Sequence, residues 1–217
     1  MQRLLLVGFI ALATLSACRS TKAPDPSAST VASMEQLQSE LSRAKVDVNS
    51  TVAILNQLTS KDTDLQKQFK SLQASIKTLE TKSQLVHGMR QSMDKQEAAF
   101  LEEWKGKLMR VANDDLRQQL TERRDATKAM FDELEKRCDT ARATFDPWIL
   151  QLNDVRKYLD ANLSPSALES LSDTFDSINE GAPKLVSEID AINEQITMVT
   201  KSIDATKAAA EEGIVPG

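Results

Sequence analysis

Two thiols, at Cys18 and Cys138, and one imidazole, at His87, are all the soft nucleophile and transition-metal chemistry that 217 residues offer. Zinc coordination, Ser-His catalysis and Cys-His catalysis would each have to borrow that one imidazole. Di-iron bundles need two Glu-x-x-His elements, and the chain has none. His87 stands between Val86 and Gly88-Met89, the setting of an ordinary helix or kink residue. Glycine-rich phosphate loops are absent. The carboxylate pairs Glu102-Glu103 and Glu211-Glu212 fit surface helix charge better than acid–base machinery. Phe100 with Trp104, and Phe145 with Trp148, each lie one helical turn apart and form a candidate ligand-binding patch, although core packing is the favoured role. The expectation is therefore a non-enzyme with no catalytic residues, no metal and no cofactor.

Cys18 has its own chemistry. Met1-Gln2-Arg3 is a short cationic start, and Leu4 to Leu12 is an apolar run too short for a membrane span of about 20 residues. The run ends in Leu15-Ser16-Ala17-Cys18, which resembles the bacterial lipobox. That signal implies a diacylglyceryl group on the thiol, cleavage before Cys18 and acylation of the new amino terminus. Two or three acyl chains anchor stably, since each buried methylene contributes roughly 0.8 kcal/mol and one chain alone is marginal. Arg19 follows where aspartate is the usual inner-membrane retention signal. The expected location is thus the outer membrane, facing the periplasm. Residues 1–17 are read as signal peptide and 18–29, with two prolines and several serines, as acylated cysteine and flexible tether.

In the oxidising periplasm an acylated Cys18 leaves Cys138 as the single thiol, without an internal disulfide partner. Its place between Leu134 and Ala141 suits a small buried core residue; an intermolecular disulfide is the alternative. Charge argues against nucleic acid as a partner. Losing residues 1–17 removes Arg3 and no acid, which moves the net charge from −5 to −6, and an acidic surface repels phosphate backbones. The basic pair Arg123-Arg124 is flanked by Glu122 and Asp125, as on a solvated helix face.

The elements that must position these residues are helices. Glycine and proline number 6 each and aromatics make up 4%, a composition for long helices. Met34, Leu37, Leu41, Ala44, Val48, Thr51, Leu55 and Leu58 advance by threes and fours, the seam of a first helix. Thr59 to Asp64 interrupts it and supplies capping side chains. A second seam runs from Leu65 through Phe69, Leu72, Ile76 and Leu79 to Val111, with Ser83, Arg90 and Glu97 at one seam position in successive heptads. His87-Gly88 predicts a kink or break there, since glycine costs about 1 kcal/mol against alanine. Asn113-Asp114-Asp115 caps a third helix, polar from Thr121 to Ala129 and then regular from Phe131 to Leu159, with a bend at Pro147. Ser164-Pro165 opens the last helix, whose seam from Leu168 to Ile203 is apolar at every step and passes through a kink at Gly181 and Pro183.

Short turns make neighbouring helices antiparallel. The fold class is all-α, an elongated antiparallel coiled-coil bundle of about four helices over residues 30–210, with a frayed tail at 211–217. A first helix starting at Met34 would leave the hairpin near residues 93–134 projecting by about 30 Å.

The chain also resembles a family of uncharacterised bacterial lipoproteins classed only as a domain of unknown function. The likeness covers the lipobox and most of residues 95–205. It rests on Phe100-x-x-x-Trp104, Leu116-Arg117, Phe145-x-Pro147, Leu152-Asn153-Asp154 leading to Leu159, and Asn162-Leu163. The resemblance implies no catalytic residues to carry over. Together these observations lead to an envelope lipoprotein, bound to the membrane through its acyl anchor and acting as scaffold or interaction module through protein partners or self-association. The alternative is a bundle that opens at its polar interruptions, residues 81–98 and 121–129, to hold a lipid or other apolar ligand.

Overall fold

The computed structural model describes residues 25–60 and 64–211. The lipobox, Cys18 and residues 212–217 lie outside the described residues, as does most of the expected tether. The described part is all-α: α1 Pro26–Leu58, α2 Leu65–Leu108, α3 Asp114–Ala161, α4 Pro165–Ser170 and α5 Ser172–Glu211. The four long helices form a square in which α1 neighbours α2, α2 neighbours α3, α3 neighbours α5, and α5 returns to α1. Every neighbouring pair is antiparallel. Gln38 donates to the Asn193 carbonyl and Asn179 to Asn56 across α1 and α5, so one sequence number rises as the other falls.

Caps set the helix ends where short polar side chains can take orphan amide protons. Asp64 accepts from the Lys67 amide, Asn113 from Leu116 and Ser164 from Ala167. Asp25 does the same for Ser27, with Pro26 at the first helical position, where a missing N–H costs nothing. The first helix therefore starts inside the segment expected to be tether, because Asp25-Pro26 is itself a helix-opening pair. That longer α1 runs beside α2 as far as Phe100 and Trp104, which share a small cleft with Asp25 and Ser27. The hairpin consequently extends far less beyond α1 than the expected 30 Å.

The seams make one continuous core. Of the predicted seam positions in α1, all are buried except half-buried Ala44. Thr51 keeps its place among apolar residues by bonding the Asp47 carbonyl and the Ser75 hydroxyl, so its own hydroxyl is not buried alone. The break considered at His87-Gly88 does not occur, since α2 is continuous there. α3 and α5 run on as helices through Pro147 and through Gly181-Pro183, as expected of positions that do not end a helix. Both prolines sit on the exposed side, where an unpaired carbonyl one turn back can face water. The last helix is instead split at Leu171, whose amide bonds the Leu168 carbonyl in a tightened turn. Leu168 and Phe175 stay buried on either side of the split, so the seam survives the change of helix.

Candidate functional site

The two polar interruptions of the seams meet different fates. In the first, the buried Thr127 hydroxyl lies 2.8 Å from that of Ser202, and Gln195 donates to the Met130 carbonyl at 2.8 Å. These bonds close the interruption of α3 into a satisfied polar layer. In the second, around residues 82–90 of α2, the bundle keeps a cavity of about 230 Å³. Its wall comes from all four long helices: Leu37, Leu41 and Val48 from α1, Leu79 and Val86 from α2, Phe145 from α3, and Leu185, Ile189 and Ile192 from α5.

Small side chains explain the space. Ala44, Ser83, Cys138 and Ala141 all line it, and they fall in neighbouring core layers of three helices. A close-packed interior normally leaves few voids larger than a water molecule, so four short side chains in adjacent layers leave volume their neighbours do not fill. Most polar groups gather at one edge: Gln84, His87 and Arg90 come from α2, and Arg142 and Asp146 from α3, while Lys82 lies at the α1 edge of α2. The mouth is therefore the α2–α3 junction.

Salt bridges hold that mouth in shape. Arg90 reaches across to Glu135 at 2.6 Å and Asp139 at 2.8 Å. Lys82 lies 3.3 Å from Glu40 and 3.5 Å from Asp47 on α1. Arg142 is shared between Asp146 and the His87 ring, each at 3.5 Å. The Nε–H of Arg90 is shut off from solvent and has no hydrogen-bond partner among the described residues. A buried donor left unpaired costs on the order of 1–3 kcal/mol.

Two titrating groups flank the site. Burial pushes the Cys138 thiol up to about 11, partly offset by the nearby Arg90 charge. It is half-buried rather than fully in the core, because it faces the cavity and not a packed neighbour. One heptad beyond Arg90, Glu97 is raised to about 7, first by desolvation and then by Asp132, with Lys128 acting the other way.

The four aromatics do not converge. Phe100 meets Trp104 edge-on at 5.5 Å and Phe131 at 6.4 Å, near the α2–α3 turn. Phe145 and Trp148, 6.2 Å apart, pack fourteen residues further along α3 than Phe131, about 20 Å away. Phe100, Trp104 and Trp148 are core residues, and Phe145 alone of the four lines the cavity. His87 is exposed at the rim. Glu102 and Glu103 pair with Lys105 and Lys107 on the surface of their own helix. Among the described residues no cluster of three or more His, Cys, Asp or Glu could hold a metal ion, and no helix is long and apolar enough to cross a membrane. Sequence reasoning picked out Ser83 and Arg90 as seam anomalies but not Ala44 or Ala141, since alanine is an ordinary seam residue until its opposite numbers are also small.

Residues 27–203 match the model of a protein family described as a protein of unknown function, DUF2959. No curated protein and no solved structure matches the chain.

Proposed function

We propose, for a chain that belongs to the DUF2959 family, a non-enzymatic role in the bacterial envelope: a bundle tethered by acyl groups on Cys18 to the outer membrane, facing the periplasm, and serving as an interaction module for protein partners. The observation that carries this reading is where α1 begins. Asp25 caps it beside Phe100, Trp104 and Lys107, at the end of the bundle that holds the α2–α3 turn. Asp25 lies seven positions after Cys18, a reach of at most about 25 Å. An anchor on Cys18 would hold that end close to the bilayer. The opposite turns, after Leu58 and Ala161, would stand away from it by the length of α1, 33 residues or about 50 Å. The far half of α3 carries Leu150 and Tyr158, 60% and 44% exposed, as apolar contacts for a partner.

Fractionation of cells carrying wild type or Cys18→Ala tests the reading, together with mass spectrometry of the mature amino terminus and crosslinking pull-down from membranes. Wild type is expected in the outer-membrane fraction with two or three acyl chains on residue 18, and Cys18→Ala is expected to leave it. An unmodified mature terminus, or a Cys18→Ala protein that stays in the membrane, overturns the anchor. A solitary monomer that recovers no partner overturns the interaction role.

A further inference from the structure

We infer that the cavity between the four long helices is a binding site for a single acyl chain ending in an anionic head group, the chain lying among the apolar side chains and the head at the α2–α3 mouth. Shape supplies the first half of the argument. Twelve of the nineteen lining residues are Leu, Ile, Val, Ala, Phe or Cys, and ligand sites are mostly apolar concavities with a few polar groups that fix orientation. Because most of those polar groups sit at the α2–α3 edge, the cavity suits an amphipathic molecule with a single polar end.

Charge supplies the second half. At the mouth the lining holds two permanent cations, Arg90 and Arg142, against one acid, Asp146. The carboxylates that pair with Arg90 lie outward, with Glu135 and Asp139 about 60% exposed against 17% for the arginine. Glu40 and Asp47 hold Lys82 from the α1 side. The guanidinium thus turns its terminal nitrogens to surface acids, while its Nε–H remains buried and unpaired. A carboxylate or phosphate oxygen at the mouth would accept that proton, and hydrogen bonds between ionised partners are about twice as strong as neutral ones. The site does not depend on the anchor proposed for Cys18.

The test uses the full-length protein purified from membranes and a dodecanoate carrying a diazirine on its chain, with crosslinked peptides mapped by mass spectrometry. Saturable labelling is expected within 37–48, 79–90 and 185–192. Dodecanoate and dodecyl phosphate should compete at least tenfold better than dodecyltrimethylammonium, and their relative strength separates a carboxylate from a phosphate head. Ala44→Leu and Ser83→Leu, made separately and checked for unchanged helical circular dichroism, should each lower labelling at least tenfold by filling the space. Arg90→Gln should lower competition by dodecanoate about tenfold and leave that by dodecyltrimethylammonium unchanged. Labelling that does not saturate, or that persists in whichever cavity-filling variant folds, overturns the site. Equal competition by the cationic amphiphile overturns the anionic head group.

Discussion

Trp148 and Gly181 compete for one space: a β-carbon built on Gly181 would come within 2.9 Å of Cδ1 of the indole. The same indole donates from Nε1 to the Ile178 carbonyl at 3.0 Å. Glycine at 181 lets the backbone of α5 approach closely enough for the indole to fit beside it and make that bond. Gly181→Ala should cost about 1–3 kcal/mol, the usual range for overpacking. In a Trp148→Leu background, with the obstacle gone, the same change should be neutral or stabilise by up to about 1 kcal/mol. Urea denaturation of the four proteins closes the cycle, and simple additivity would refute the coupling.

Gly88 is the opposite case. A β-carbon there meets nothing within 4 Å, and α2 is continuous through it. Gly88→Ala should raise stability by about 0.5–1 kcal/mol through the backbone entropy of glycine. Thermal denaturation showing a lower midpoint would mean that the helix needs a hinge at this point.

Glu97 makes stability depend on pH. Its folded-state value is raised from 4.5 to about 7, so the carboxyl binds its proton more tightly folded than unfolded. The resulting stability is complete below about pH 4.5 and is lost as pH rises through 7. Solvent reaches part of this side chain, and screening holds the effect to the order of 1 kcal/mol. Glu97→Gln should therefore stabilise at pH 8 and change little at pH 4. Denaturation curves at those two pH values check it, and an equal shift at both would remove Glu97 as the source.

Cys138 should resist alkylation. With its thiol raised from 9.0 to about 11, the thiolate at pH 8 is about one part in a thousand, tenfold or more below that of an unshifted thiol. Iodoacetamide should modify the folded protein at least tenfold more slowly than the urea-unfolded chain, with a rate still climbing past pH 10. Equal rates folded and unfolded would place the thiol in ordinary solvent.

The long helices could be read from the chain because three-and-four spacing of Leu, Ile and Val is a local signal. The caps at Asp64, Asn113 and Ser164 were equally plain, since one short polar side chain does the work. Asp25-Pro26 carries the same signature, yet small polar neighbours and a second proline gave the stretch the look of a linker. Continuity through Gly88 was hidden for another reason. Whether a helix breaks is decided by packing on its other face, and a residue's own propensity records nothing of that. The cavity was half visible: Ser83 and Arg90 marked a weak stretch of α2, while the matching small residues Ala44 and Ala141 gain meaning only when the helices are side by side. Trp148 and Gly181, 33 positions apart in sequence, left no trace of their contact in the pattern.

The closed square of helices also dictates an order of assembly. α1 and α2 are consecutive and can pair as soon as both exist, but the other flank of α1 is covered by α5, where Gln38 bonds Asn193 and Lys45 meets Asp190. Those partners arrive about 150 residues later in synthesis. Until then a nascent hairpin exposes an apolar strip, the kind of surface on which unfinished chains aggregate. Truncation within α5 should therefore be more damaging to solubility than its distance from the amino terminus suggests, and a holding chaperone would find its longest-lived target on α1.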